Sequence, residues 1–250
     1  MIETPRTLIS TPIHDFVHPE FKRSLGRTLQ ISRRIKYDEL VGISHVEFAR
    51  ATLVGRFLLS DYEVMLCIDG DMSWQTKDIE AVLEPIAAGK AHVVAGLYMT
   101  KNEPITPTFE FLSHDVDKET GYVGPTLEIN GHGYFRIAVA GAGFFAMTRH
   151  AIEEASKLVE SYCPIGRMSV TGKLDERHPL LFRSRIHYRA HQPNIPRSFG
   201  EDYGACLTLQ QAGFMVWAAR EALPVHHSAR GIDARNLDIN QFARDQAAHG

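Results

Sequence analysis

The sequence is short of cysteine, of charge of one sign and of long apolar runs, and each shortage removes a class of protein. Its 250 residues hold three cysteines, Cys67, Cys163 and Cys206. An odd number with no C-x-x-C spacing suits neither a disulfide framework nor a zinc site, and it implies reduced thiols in a cytoplasmic setting. Lys plus Arg number 27 against 30 Asp plus Glu, a net charge of −3. That balance supplies no general basic field for nucleic acid. The longest nearly apolar stretch, 137–147, falls well short of the roughly 20 residues a membrane-spanning helix needs, so no transmembrane segment is expected. The opening Met-Ile-Glu-Thr-Pro-Arg lacks a basic region followed by an apolar core, so no secretory signal is expected either. There is no internal repeat, no low-complexity tract and no linker strong enough to separate two domains. What is left is 44% hydrophobic and 23% charged, an ordinary balance with length enough for a sizeable core.

The most informative segment is 63–71, Glu-Val-Met-Leu-Cys-Ile-Asp-Gly-Asp. An apolar run ends abruptly in two carboxylates separated by one glycine. A buried strand with this pattern delivers Asp69 and Asp71 to its carboxyl end, where α/β sheets bind ligands. Two hard oxygen donors there suit Mg2+ or Mn2+ carrying a diphosphate.

The first 100 residues alternate strand and helix patterns. Strands are expected at 6–11, 35–44, 64–68 and 92–98, and helices at 21–32, 46–59 and 78–88. Ser44 is the expected cap of the second helix, with Glu47 completing a capping box. These β-then-α steps imply a mostly parallel sheet covered on both faces. From 101 to 135 Pro and Gly are frequent, with short β-like pieces. An apolar, Gly-rich segment at 138–147 precedes a helix expected over 149–161 and capped by Thr148. Residues 162–200 read as irregular, with several prolines, arginines and histidines. A helix at 201–212 and a strand at 214–218 follow.

Four segments, in order, resemble the GT-A class of nucleotide-sugar glycosyltransferases. Leu66-Cys-Ile-Asp-Gly-Asp-Met72 is similar to that family's Asp-x-Asp motif at a strand end. Val139-Ala-Gly-Ala-Gly-Phe-Phe-Ala-Met147, followed by Arg149-His-Ala-Ile152, resembles its Gly-rich strand and succeeding helix. Gly200-Glu-Asp-Tyr-Gly-Ala-Cys-Leu207 resembles its Glu-Asp motif, and Pro224-Val-His-His227 its C-terminal histidine segment. The resemblance implies one GT-A (Rossmann-like) α/β domain over 1–250. Residues 1–100 would hold the nucleotide and 101–250 the acceptor. It implies transfer of a sugar from a UDP- or GDP-linked donor to a carbohydrate or other hydroxyl acceptor, with inversion, using Mn2+ or Mg2+. The implied base is Asp202, with Glu201 beside it. Asp71 would ligate the metal, while Asp69 would contact the ribose or reach the metal through water. His227 would complete the shell, with His226 as the alternative because strand alternation turns only one of the pair inward. Thr11, Pro12, His14, Arg50 and Gly70 complete the implied nucleotide-binding set. The usual Gln/Arg-x-x-Arg-Trp segment of processive members is absent, which implies single additions. A homo-oligomer stays open.

Other readings compete at the same residues. Asp-Gly is a common turn dipeptide. Asp69, Asp71, Ser73 and Glu80 half-match a calcium loop, but Trp74 stands where that loop needs glycine. Gly141-Ala-Gly-Phe-Phe-Ala146 fits a dinucleotide fingerprint, although its last residues look like strand and close backbone packing explains the glycines better. Glu201 and Asp202 suit a helix N-terminus whatever their chemistry. His187 and His191 have metal-pair spacing if helical, and Arg183, Arg185 and Arg189 could line a solvated edge or meet phosphates. At the level of function, a nucleotidyltransferase and a non-catalytic nucleotide- or carbohydrate-binding scaffold are the alternatives.

Overall fold

The structure, a computed structural model, describes residues 3–100, 105–112, 115–117, 123–124, 126–164, 168–173, 176–189, 192–227 and 238–249. The first third follows the expected alternation. Strand β1 (Thr7–Ile13) leads to helix α1 (Pro19–Ile31), β2 (Ile35–Val41), α2 (Val46–Leu59), β3 (Val64–Ile68), the two-residue β4 (Met72–Ser73), α3 (Thr76–Ala87) and β5 (Val93–Gly96). Then come β6 (Phe109–Glu110), β7 (Thr126–Ile129), β8 (His132–Ile137), β9 (Val139–Ala140), β10 (Phe144–Thr148) and α4 (Arg149–Ser156). The chain closes with β11 (Ser161–Tyr162), β12 (His178–Pro179), β13 (Arg185–Arg189), β14 (Gln192–Phe199), α5 (Glu201–Gln211), β15 (Val216–Ala219), β16 (Val225–His226) and α6 (Ile239–His249).

Eight strands form one sheet in the order β2-β1-β3-β10-β5-β15-β8-β7. The pairings make six of them run one way, while β10 and β8 run against the rest. The sheet is therefore mostly parallel in direction but mixed in its pairings. The antiparallel β10 sits between β3 and β5, so strands from the two halves of the sequence interleave in one layer. The strand period of two divides the core between the faces. Leu8, Met65, Cys67, Val93, Ala95 and Phe145 pack on one side with Leu53 and Phe57 of α2, Ile152 of α4 and Leu209 of α5. Ile9, Leu66, Ile68, Val94, Phe144 and Ala146 pack on the other with Phe21 of α1 and Ile79, Val82 and Leu83 of α3. β3 is buried over its whole length, which is why its sequence shows a continuous apolar run instead of an alternation.

Several local expectations change. The cap of α2 is His45, without a side-chain capping bond, not Ser44. Glu47 instead accepts the Ser184 backbone N–H at 2.8 Å, so tertiary contact takes the carboxylate that a capping box would have used. Thr148 does cap α4, accepting from the Ala151 N–H, but that helix stops at Ser156. Within 162–200, read as irregular, β11 pairs with β12, and β13 with β14 as an antiparallel ribbon with a register shift at Tyr188/Arg189. Pro193 and Pro196 lie within β14. A two-stranded ribbon tolerates proline because each strand has an unpaired edge.

Candidate active site

β1 lies between β2 and β3, so α1 carries the chain to one side of β1 and α2 carries it back across to the other. The crevice at the carboxyl ends of β1 and β3 is thus a topological switch point, where open α/β sheets bind ligands. A cavity of about 420 Å³ occupies it. Pro12, Ile13, His14, Asp15 and Phe16 leave β1 along one wall; Ile43, Ser44, Val46, Ala49 and Arg50 form another; Asp69, Gly70 and Asp71 end β3; Glu201 and Asp202 begin α5. Eight of the residues singled out from the sequence line this one space: Pro12, His14, Arg50, Asp69, Gly70, Asp71, Glu201 and Asp202. Thr11 does not line it and is fully buried within β1.

Backbone contacts fix the acidic turn. Gly70 O accepts the His18 N–H at 2.7 Å, Asp71 O accepts the His227 N–H at 2.8 Å, and Asp69 O accepts the Met72 N–H at 3.0 Å. Trp74, where a calcium loop would need glycine, is buried, and its Nε1–H donates to Thr28 Oγ1 at 2.8 Å. The imidazole that faces Asp71 belongs to His226: its Nε2 lies 3.3 Å from Asp71 Oδ2 and its Nδ1 3.0 Å from Met99 O. His227 turns the other way, with Nε2 2.7 Å from Ser73 Oγ and its ring stacked on His18 at 4.1 Å. The antiparallel pairing of β16 with β4 sets this alternation. Burial and the neighbouring His18 hold the His227 imidazole below its ordinary value. Among the described residues no group of three His, Cys, Asp or Glu side chains is gathered to hold a metal. A cation here would rest on Asp71 and on oxygens brought by its ligand, the habit of Mg2+ with phosphates.

Gly141 and Gly143 stand between β9 and β10, and no helix follows them directly, so the dinucleotide reading lacks its phosphate-binding helix N-terminus. They serve close approach. A Cβ on Gly141 would lie 2.3 Å from the Tyr98 hydroxyl, and one on Gly143 would lie 2.7 Å from that hydroxyl and 3.2 Å from Asp69 Oδ2. The Gly143 N–H donates to the Tyr98 hydroxyl at 2.8 Å. Gly141→Ala is expected to cost about 1–3 kcal/mol through overpacking, and Tyr98→Phe, which removes the clashing oxygen, should recover part of it in a denaturation series. Tyr98 escaped the sequence reading; its position just beyond the end of β5 was the available signal.

Charge at the centre is crowded. Arg50, 2% exposed, places Nη2 at 2.9 Å from Asp69 Oδ1 and 3.5 Å from Asp202 Oδ1, and Nε at 3.7 Å from Glu201 Oε1. Burial works against its charge, but Asp69 and Asp202 outweigh burial and hold the guanidinium above its ordinary value. Asp202 is pushed up to about 7, first by burial and then by Glu201 and Asp69, against the downward pull of Arg50 and the Ala142 backbone. Its Oδ1 is buried and accepts no hydrogen bond among the described residues. Burial pushes the thiols of Cys67 and Cys206 up to about 12, so both are inert core groups, while Cys163 is exposed. Arg183 pairs with Glu160 at 2.6 Å and Arg185 donates to Gln211 Oε1 at 3.2 Å, away from the cavity lining. The side chains of Arg189, His187 and His191 lie outside the described residues.

No protein-family model and no curated protein matches the chain. Among solved structures it is similar to A197 from STIV, with 17% identity and a TM-score of 0.53, over 89% of this chain and 86% of that one. At that identity the likeness defines a shared α/β fold and carries no activity with it. No helix among the described residues is long and apolar enough to cross a membrane.

Proposed function

We propose that the protein is a GT-A glycosyltransferase that moves a sugar from a UDP- or GDP-linked donor to a hydroxyl acceptor, with inversion and with a divalent cation, in the reducing cytoplasm. The observation that carries this reading is the convergence on one cavity of Asp69 and Asp71 from β3 and of Glu201 and Asp202 from α5, with Asp202 held near neutrality. Five carboxylates line the cavity, those of Asp15, Asp69, Asp71, Glu201 and Asp202, with the guanidinium of Arg50 set among them. A diphosphate enters such a field only with its charge offset. The donor set fits Mn2+ or Mg2+, with Asp71 as the protein ligand and His226 beside it; the bound ion would act as a Lewis acid on the departing diphosphate.

In this reading the walls from β1 and the β2–α2 connection, Pro12, His14, Ile43 and Ser44, take the nucleoside. Asp202 accepts the acceptor's hydroxyl proton as the oxygen bonds the anomeric carbon, and the bond from that carbon to the diphosphate oxygen breaks. A base with a pKa near 7 is matched to neutral operation. Neighbouring carboxylates favour the positive charge that builds on the sugar ring. The test is thermal melting with UDP, GDP, CMP and dTDP, each with and without Mn2+. Stabilisation by one nucleotide that requires the metal is the expected result. No shift with any of the four would transfer the weight to a non-catalytic scaffold.

A further inference from the structure

Resting on that reading, we propose that Arg50 is a positioning residue for the transfer. One buried guanidinium holds the Asp-x-Asp corner of β3 and the Glu-Asp corner of α5 in a single register, so that donor-side and base-side carboxylates address the same point of the cavity. The sequence suggested a nucleotide contact for Arg50. Its surroundings give it a different task.

Arg50 projects from the middle of α2 and is 2% exposed. It joins segments far apart in the chain. Nη2 bonds Asp69 Oδ1 at 2.9 Å, Nη1 reaches Ala142 O at 3.5 Å, and the guanidinium lies over the Phe182 ring at 5.3 Å. Glu201 and Asp202 close the set at 3.7 and 3.5 Å. A guanidinium suits this role because it is planar, always charged and offers donors in several directions, whereas an ammonium acts as one point charge.

The contacts are unequal. Asp69 receives a hydrogen bond, so one of its oxygens is committed to Arg50. Asp202 receives attraction without one, and its Oδ1 stays unbonded. A carboxylate clamped by two short guanidinium bonds would be a weak base. At 3.5 Å Arg50 can hold Asp202 in place without clamping it in a hydrogen bond. Three carboxylates around one cation also tie α5 to the sheet at the point where the second half of the sequence meets the first.

The experiment is a double-mutant cycle joined to kinetics. Arg50→Lys, Asp202→Asn and the double variant are melted at pH 8 without ligand, and Arg50→Lys is compared with wild type in hydrolysis of UDP- and GDP-hexoses with Mn2+ and in UDP and GDP binding. The expected result is coupling, in which Arg50→Lys lowers the melting temperature markedly less when Asp202 is already Asn. With it, kcat falls about 10- to 100-fold while nucleotide affinity stays within about threefold, as misplacement of reacting groups would produce. If Arg50→Lys does not fold, Arg50→Gln paired with Asp202→Asn reports the same coupling by folding where the single variant fails. An additive cycle overturns the proposal, and so does a folded Arg50→Lys with wild-type kcat. Wild type that neither binds these nucleotides nor hydrolyses these donors overturns the transferase reading itself. That outcome is distinguishable, because the cycle needs no donor.

Discussion

Asp202→Asn is expected to collapse turnover to a small residual rate and to stabilise the protein above neutral pH. Removal of a general base costs about 10²–10⁴ in rate. Nucleotide binding should persist, because Asp202 faces the acceptor side of the reaction and Asn keeps its shape. The gain in stability follows from the raised pKa of about 7. A carboxyl in the unfolded chain titrates near ~4. Between those values the native state binds the extra proton, so stability is fully present below the unfolded pKa and falls as pH rises through the folded one. Asn carries no such penalty. Its advantage should therefore be largest at pH 8 and small at pH 4. At the upper end a gain of at least ~1 kcal/mol is expected, or about 2–4 °C for a chain of this size. A melting series of both proteins from pH 4 to 8 checks this, and the acid limb of the wild-type pH–rate profile should centre near 7. A variant less stable than wild type at pH 8, or one that retains turnover, would remove Asp202 from the role of base.

The second large effect is expected at Asp71. A nucleotide present at about 100 times its Kd stabilises a native-only site by about 2.7 kcal/mol, roughly 5–10 °C at 2–4 °C per kcal/mol. Asp71→Ala should erase the metal-dependent part of that shift and leave the unliganded melting temperature nearly unchanged. The turn is held by its backbone carbonyls, and the Asp71 side chain is 30% exposed. The histidines should separate. His226→Ala should weaken the Mn2+-dependent shift because its Nε2 faces Asp71, whereas His227→Ala perturbs the ring stack on His18 and leaves the metal response in place. Asp69→Asn should retain part of the shift, since one oxygen of Asp69 already belongs to Arg50. A full shift in Asp71→Ala would mean that the ion, if any, binds elsewhere.

Much of the architecture could be read before any coordinates. The apolar run of β3 ending in Asp69 and Asp71, the strand-helix alternation of the first third, and the acids opening α5 are local patterns. Local pattern is what backbone periodicity and turn chemistry record. The run 183–189 allowed an edge strand, and β13 is one, but its partner β14 was missed because its prolines resemble breaks, and the cap of α2 was misplaced because Glu47 bonds Ser184, 137 residues away. The antiparallel insertion of β10 between β3 and β5 has no local signature either, since strand order is decided by which faces bury best together.

The sequence by itself determined an α/β chain with two acidic corners, one at a strand end and one at a helix start. It could not determine that both corners open on one cavity, that Arg50 stands between them, or that His226 and not His227 turns to Asp71. Those depend on contacts between segments up to 155 positions apart, such as Asp71 with His226. Burial of those segments in one place is also what lifts Asp202 toward 7, for a pKa is set by desolvation and neighbouring charge, and both exist only once the chain has folded.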